Sequence, residues 1–241
     1  MGEQAGLTVV SWNAQGSHRF DVGRAAEALA VFAPDVVLLQ EVQRHQLGAL
    51  RVALGTIDAR WRFKHWPVRI PAEGLGLLAR HPVADARAQV LAHRWQFWNW
   101  RRRVALHATL RVDGRTVRIT DTHLGAGVTH DERVRQVEAL LDGAYGADVI
   151  VGDMNAEPGS PELDAFGAAG WCDAEARVRA RGAPRPSTNW AAGPRTEAPT
   201  QRLDYVLVRA TTEVTDAFVP DDWEQWARYS DHLPVVARLA L

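Results

Sequence analysis

The sequence has almost no cysteine and no long apolar run. Cys172 is the only cysteine among 241 residues, so an intramolecular disulfide framework and a four-cysteine zinc site are both excluded. No apolar run approaches the ~20 residues that a membrane-spanning helix needs. The first residues lack a basic segment followed by an apolar stretch, so no signal peptide is visible and we expect a cytoplasmic protein.

A net charge and several well-known catalytic motifs are absent as well. The 28 basic residues nearly balance the 29 acidic residues. The formal net charge of −1 argues against a protein that binds long nucleic acid non-specifically through its overall charge. The chain has no G-x-S-x-G, H-E-x-x-H or Walker A motif, and no G-x-G-x-x-G follows the first strand. The chemistries that depend on these motifs are therefore set aside.

Strand-like and helix-like segments are mixed along the whole chain. Arg103–Val112 alternates apolar and polar residues, Asp113-Gly114 follows, and Arg115–Thr122 resumes the strand pattern, which predicts a β-hairpin. Ala176–Thr200 has no clean period and is predicted to be a loop. The mixture predicts an α/β sandwich with mixed sheets. No linker is long enough to divide residues 1–241, so we expect a single domain.

Polar residues repeatedly stand at the ends of the apolar strands. Glu41 follows the continuously apolar strand Asp35–Gln40, and Asp153 and Asn155 follow Ala147–Val151. Ligand groups converge at strand ends in α/β sheets, so these side chains are candidates for one site. The full set is Asn13, Glu41, His123, Asp153, Asn155, Asp204, Asp231 and His232.

The spacing within Gly152-Asp153-Met154-Asn155 favours a shared ligand. In an extended segment, residues i and i+2 point the same way, so Asp153 and Asn155 can address one ligand together. A carboxylate accepts hydrogen bonds and an amide also donates them, which suits a pair that orients a water molecule and stabilises what it attacks. Gly152 allows the backbone to pass close by.

Ser230–Pro234 forms a second dense cluster, with the sequence Ser-Asp-His-Leu-Pro. Adjacent side chains on an extended chain diverge, so Asp231 and His232 are expected to have separate roles. Glu41 and Asp231 offer the carboxylate oxygens that a hard cation prefers. Neutral histidine is a poor Mg²⁺ ligand, so His123 and His232 are better interpreted as phosphate-binding or proton-transfer groups.

Six short motifs, taken in order, resemble the endonuclease/exonuclease/phosphatase family, which includes DNase I-like nucleases and phosphatases. The resemblance spans Leu7 to Leu239, and six fragments in the family's order are specific although each alone is weak. The fragments are Trp12-Asn13, Leu39–Val42, Thr122–Leu124, Gly152–Asn155, Arg202–Val206 and Ser230–Pro234.

The resemblance implies a four-layered α/β sandwich, with two mixed sheets face to face and helices outside, and Mg²⁺-dependent hydrolysis of a phosphoester, with Mn²⁺ as an alternative ion. It implies Glu41 as the principal metal ligand, with Asn13 and Asp231 near the metal. Its remaining implied roles are these: Asp153 orients or deprotonates the attacking water, Asn155 holds the phosphate, His232 contacts the phosphate and is hydrogen-bonded by Asp204, and His123 contacts the phosphate from the other side.

The resemblance places an arginine near the phosphate, and Arg103 matches it in competition with Arg101 and Arg102. Gln43 stands where DNase I-like members have arginine, which leaves the substrate class open between nucleic acid and a lipid or small-molecule phosphoester. The neighbouring Trp95, Trp98 and Trp100 suit either base stacking or a membrane interface, or a hairpin packed on the sheet edge. A non-catalytic binding protein on the same fold is the alternative function. We expect a monomer without an obligate protein partner.

Overall fold

The computed structural model describes residues 6–16, 20–63, 72–94, 101–144, 146–191 and 195–241. Within these ranges the chain forms twelve strands and six helices. In chain order they are β1 (Gly6–Asn13), α1 (Val22–Ala30), β2 (Val36–Gln43), α2 (Arg44–Leu54), β3 (Asp58–Phe63), β4 (Glu73–Ala79), β5 (Val83–Arg94), β6 (Arg101–Val112), β7 (Arg115–His123), α3 (His130–Gly143), β8 (Val149–Asp153), α4 (Pro161–Ala168), β9 (Trp171–Asp173), α5 (Ala174–Val178), β10 (Asp204–Arg209), β11 (Val214–Phe218), α6 (Trp223–Trp226) and β12 (Val235–Ala240).

The strands form two mixed sheets of six strands each. Sheet A has the order β11-β12-β1-β2-β4-β3, and sheet B has the order β5-β6-β7-β8-β10-β9. Among the described strands, each sheet contains one parallel pair at its centre, β1 with β2 in sheet A and β7 with β8 in sheet B. The other strand pairs among the described residues are antiparallel. Mixed sheets were predicted from the sequence, and the prediction is confirmed.

Alternation along the central strands shows how the layers are stacked. In β8, Val149 and Val151 belong to the core between the sheets, whereas Ile150 belongs to a second core beneath α3 and α4. Side chains of a strand point alternately to its two faces, so a central strand that is apolar on both faces is covered on both. Helices α1 and α2 lie over sheet A and α3 and α4 over sheet B, which gives the four-layered sandwich.

Local signals explain several element boundaries. Asp21 accepts the Arg24 N–H at the start of α1, and Thr129 accepts the Glu132 N–H at the start of α3. Both contacts satisfy an amide that a helix start leaves without an intrahelical partner. The β6–β7 hairpin turns through Asp113 at φ 47° and Gly114 at φ 80°, the positive values that a two-residue hairpin turn requires.

A polar cluster interrupts the apolar core between the sheets. Gln40 of sheet A donates from Nε2 to Asp121 Oδ1 of sheet B at 2.7 Å and to Ser11 Oγ at 3.3 Å. All three side chains are fully buried. Among the described residues, Gln40 Oε1 and Asp121 Oδ2 have no hydrogen-bond partner. Burial raises the pKa of Asp121 well above its usual value, although the Gln40 hydrogen bond acts in the opposite direction.

Two sequence predictions differ from the structure in extent. The loop predicted for Ala176–Thr200 begins inside α5, which continues to Val178. The strand predicted for Asp35–Gln40 continues to Gln43. Its pairing with β4 is interrupted by a bulge that contains Glu41, and the pairing continues from Val42. Helices long and apolar enough to span a bilayer are not found in the described part of the chain.

Candidate active site

The two central parallel pairs bring polar side chains to the same edge of the sandwich. Asn13, the last residue of β1, pairs with Gln40 of β2, and His123, the last residue of β7, pairs with Asp153 of β8. Parallel neighbours have their carboxyl ends at one edge of the sheet. Asn13 Nδ2 donates to Asp153 Oδ2 at 3.0 Å, so the two sheets are joined directly at this edge.

Glu41 occupies a strained backbone position inside the bulge of β2. Its φ is 56°, a region that costs a non-glycine residue on the order of 1–3 kcal/mol. Bulges of this kind redirect a side chain. The carboxylate is 23% exposed, and its Oε1 lies 3.6 Å from His123 Nδ1.

The backbone around Glu41 is held by a close approach of the segment after β1. Gly16 donates its N–H to the Glu41 carbonyl oxygen at 3.1 Å. A Cβ at Gly16 would lie 2.4 Å from that oxygen and 2.6 Å from Gln46 Oε1, so only glycine fits there. The bulge and this glycine together explain how Glu41 is directed to the site from within a strand rather than from beyond its end.

Asp153 lies at the centre of the site. Its Oδ2 accepts from Asn13 and lies 3.6 Å from His123 Nε2 and 3.8 Å from His232 Nε2. Its Oδ1 accepts the Asn155 N–H at 2.9 Å. Burial raises the pKa of Asp153 to about 6; the attraction of His232 opposes the shift and the repulsion of Asp204 adds to it.

Asn155 reaches the site differently from the expected extended geometry. Strand β8 ends at Asp153, and the chain turns at Asn155, where φ is 46°. The Asn155 amide donates from Nδ2 to the Leu124 carbonyl oxygen at 3.1 Å, so it binds the segment that follows His123. Gly152 passes close to β7 as the sequence predicts, because a Cβ there would lie 1.9 Å from the Thr122 carbonyl oxygen.

His232 is buried between two carboxylates. Its Nδ1 lies 2.8 Å from Asp204 Oδ2, and Asp204 is itself the strand partner of Asp153 in the β8–β10 pairing. Burial disfavours the imidazolium, but the charges of Asp204 and Asp153 outweigh it and raise the pKa of His232 to about 10.

Asn189, which the sequence did not single out, contacts the other nitrogen of His232. Its Nδ2 lies 2.8 Å from His232 Nε2 and donates to the Asp231 carbonyl oxygen at 3.1 Å. Its Oδ1 accepts the Ala191 N–H at 2.7 Å, which fixes the amide orientation. An Asn189 amide that donates to Nε2 matches a His232 with its proton on Nδ1 alone. The imidazolium that the flanking carboxylates favour carries a proton on both nitrogens, and its Nε2–H needs an acceptor in place of the Asn189 NH₂ group.

Asp231 is half-buried and lies beside the end of β1. Gln15 Nε2 donates to Asp231 Oδ2 at 2.8 Å. The preceding Ser230 donates to the Asn13 carbonyl oxygen at 2.6 Å and accepts the His232 N–H at 3.0 Å. Asp231 and His232 are thereby tied to β1, although 218 positions of sequence separate Asn13 from Asp231.

The composition of the site fits a divalent cation. Among the described residues, the carboxylates of Glu41, Asp153, Asp204 and Asp231 lie here with the imidazoles of His123 and His232, and carboxylate oxygens are the ligands that a hard cation prefers. Asp153, Asp204 and His232 place potential ligand atoms within 4.8 Å of one another. Within that trio, His232 and Asp204 already hydrogen-bond each other at 2.8 Å. Glu41 and Asp231 are partly exposed and offer accessible oxygens. Asn13 Oδ1 accepts the Gln15 N–H, so Asn13 acts here on Asp153.

The remaining predicted residues lie on or beyond β6. Arg103 is buried in this strand, which neighbours the His123 strand, and its phosphate-binding role stays a prediction. In the antiparallel pairing of β5 with β6, Arg101 lies opposite Arg94 and Arg102 lies opposite His93. Trp95, Trp98 and Trp100, which the sequence associates with base stacking or a membrane interface, lie outside the described residues.

Two facing mixed sheets with a carboxylate and histidine cluster at one edge define the DNase I-like class of phosphoesterase folds. The chain belongs to the Endonuclease/Exonuclease/phosphatase family, whose sequence profile it matches over residues 10–232. Family membership supports phosphoester hydrolysis as the general activity. The family resemblance derived from the six motifs is thereby confirmed.

Solved structures share the fold at low sequence identity. The endonuclease/exonuclease/phosphatase from Bacteroides vulgatus has a TM-score of 0.80 and 18% identity, covering 99% of this chain and 100% of its own. D. rerio TDP2 complexed with a single-strand DNA product has a TM-score of 0.73 and 18% identity, covering 98% of this chain and 99% of its own. A mannosyl-6-phosphatase from Bacteroides thetaiotaomicron has a TM-score of 0.72 and 18% identity, covering 98% of this chain and 100% of its own. No curated protein sequence matches the chain significantly.

Proposed function

We propose that this protein is a metal-dependent phosphodiesterase or phosphatase that uses Mg²⁺, with Mn²⁺ as a substitute, to promote in-line attack of water on phosphorus. The observation that carries this proposal is the Asp153 carboxylate, which is buried, held by Asn13 and flanked by both imidazoles. A fixed carboxylate beside two potential cations is the arrangement that a phosphoryl-transfer site needs to position water and bind phosphate.

Asp153 is the proposed general base. A base works best when its pKa lies near the operating pH. The pKa of Asp153 is raised to about 6, so the group is largely ionised at neutral pH yet accepts a proton more readily than an ordinary carboxylate. Asn13 and the Asn155 N–H each occupy one oxygen of Asp153 and hold the carboxylate in place.

His232 and His123 are the proposed phosphate-binding groups on opposite sides of Asp153. With Asp204 at Nδ1, a protonated His232 presents Nε2–H to the negative charge that develops on phosphorus. His123 lies between Glu41 and Asp153, with one ring nitrogen 3.6 Å from an oxygen of each carboxylate. Asn155 and Arg103 complete the proposed set of phosphate-facing residues.

Glu41 and Asp231 are the proposed metal ligands, with Asn13 beside them. When bound, Mg²⁺ neutralises phosphoryl oxygen charge and stabilises the leaving oxygen. The described side chains supply the carboxylate oxygens that such an ion prefers. No obligate protein partner is needed for this chemistry, and a monomer suffices.

The substrate is either a nucleic acid or a lipid or small-molecule phosphoester. Among proteins with this fold, TDP2 is complexed with a DNA product and another is a mannosyl-6-phosphatase, so the fold serves both classes. The residues proposed for catalysis act on the phosphoryl group itself, which is common to both classes. Substrate discrimination therefore belongs to surfaces around this cluster.

The decisive experiment is hydrolysis of a generic phosphodiester, bis-(p-nitrophenyl) phosphate, with Mg²⁺ and then with excess EDTA. We expect turnover that EDTA abolishes and that Asp153→Asn removes. Metal-independent turnover would refute the proposed mechanism, and binding of phosphoesters without turnover would favour the non-catalytic alternative. A panel of plasmid DNA, abasic DNA, phosphoinositides, sphingomyelin and sugar phosphates then identifies the substrate class.

A further inference from the structure

Gln15 links the proposed metal ligand Asp231 to an arginine from a distant segment. Gln15 Nε2 donates to Asp231 Oδ2 at 2.8 Å, and Arg195 Nη2 donates to Gln15 Oε1 at 2.6 Å. Arg195 is anchored in turn, because its Nη1 donates to the Ala227 carbonyl oxygen at 3.0 Å. Three segments that are far apart in sequence therefore meet in a row of directed hydrogen bonds.

The donor and acceptor chemistry allows only one orientation of the Gln15 amide. A guanidinium only donates and an ionised carboxylate only accepts. The carbonyl oxygen of Gln15 must therefore face Arg195, and its NH₂ group must face Asp231. The backbone supports the same placement, since Gln15 has φ 42° and its N–H donates to Asn13 Oδ1 at 3.1 Å.

A neutral amide between the two charges has a specific consequence for cation binding. An arginine in direct contact with Asp231 would neutralise the negative charge that attracts the cation. Through Gln15, Arg195 restricts the orientation of the carboxylate while its own charge stays one side chain further away. Hydrogen-bonding partners of this kind commonly contribute 10–100-fold to metal affinity.

We infer that Gln15 is a positioning residue that orients Asp231 for the cation, and that Arg195 acts on Asp231 only through Gln15. This inference rests on the proposed function, because it takes Asp231 as a metal ligand. It extends that function to two residues outside the six family motifs. The row of contacts from Arg195 through Gln15 to Asp231 is called the relay below.

The test is calorimetric titration of the full chain with Mn²⁺ in the absence of substrate. Gln15→Ala is expected to weaken Mn²⁺ binding about 10-fold or more with an unchanged melting temperature. Arg195→Met is expected to weaken it in the wild-type background. In the Gln15→Ala background, Arg195→Met should cause no further loss, because removing a nearby positive charge then only favours the cation.

The control is Gln225→Ala, which removes an exposed glutamine side chain from α6 and should leave Mn²⁺ affinity unchanged. Unchanged affinity in Gln15→Ala, or an equal loss on Arg195→Met in both backgrounds, overturns the relay while the proposed function stands. If Gln15→Ala lowers the melting temperature, Arg195→Met in the wild-type background decides, and an unchanged Mn²⁺ affinity there overturns the relay. A wild-type protein that binds no Mn²⁺ overturns the relay and the proposed metal dependence together.

Discussion

The buried Asp121 gives a prediction about stability that is independent of the proposed activity. Asp121 Oδ1 accepts a hydrogen bond from Gln40, while Asp121 Oδ2 and Gln40 Oε1 have no partner among the described residues. Protonation of Asp121 removes the buried charge and gives the carboxyl group a hydrogen-bond donor of its own. The raised pKa of Asp121 agrees with such a protonated group between the sheets.

Replacing Asp121→Asn supplies the missing donor at every pH. We expect the variant to be more stable than the wild type by about 1–3 kcal/mol near pH 8, the usual penalty of an unsatisfied buried polar group. The difference should shrink as pH falls towards ~4, because protonation of wild-type Asp121 then removes its buried charge. The sign follows from linkage, since the folded-state pKa is raised. The unfolded chain loses its proton above pH ~4, so wild-type stability falls as pH rises, by about 1.4 kcal/mol per unit, up to the folded pKa.

The assay is urea denaturation followed by circular dichroism at several pH values, with the difference between variant and wild type plotted against pH. Taking the difference cancels the contribution of every other titrating group that both proteins share. Asp113→Asn, in the exposed hairpin turn, is the matched control and should give a flat difference. A flat difference for Asp121→Asn as well would refute the argument.

Three further predictions concern the candidate site. Glu41→Gln should raise the Mg²⁺ concentration needed for half-maximal activity and lower turnover, measured by metal titration, because it removes an anionic ligand; an unchanged titration curve would count against Glu41. Asp204→Asn should lower the pKa of His232, seen by NMR titration, and reduce kcat on the order of 10²-fold. Combined with His232→Ala it should add little, since the two residues act as one unit; additive losses would separate them. Finally, kcat/KM should rise with pH through about 6 as Asp153 loses its proton, and a wild-type profile that is flat through this range would count against Asp153 as the base.

The sequence predicted that polar side chains at the ends of buried strands would converge, and the structure brings Asn13, His123 and Asp153 together. Asn13, His123 and Asp153 are the final residues of β1, β7 and β8. Period-2 patterning identifies such strands, and parallel pairing then brings their ends together. The mixed-sheet fold was predictable as well, because strand-like and helix-like segments are mixed along the chain and Asp113-Gly114 predicts an antiparallel hairpin among them.

The sequence could not reveal features that depend on contacts between distant segments. Asn189 lies in a stretch with no periodicity, and its importance comes from a 2.8 Å contact with His232, 43 positions away. Gln15 is similar, since its meaning depends on Arg195 and Asp231. Glu41 was identified, but its placement within a bulge was not, because positive φ at a glutamate is set by tertiary contacts and not by local preference.

The order of strands in the two sheets has a consequence for synthesis of the chain on the ribosome. Sheet B consists of consecutive strands, β5 to β10, whereas β1 of sheet A pairs on one side with β12, which is made after every strand of sheet B. A nascent chain can therefore pair all of sheet B while one edge of β1 still waits for its neighbour. Asp153 and Asp204 are synthesised before His232, so a chain stalled before Ser230 carries these two carboxylates and His123 without His232. If His232 has its proposed role, the site stays inactive until Ser230–Pro234 has been made.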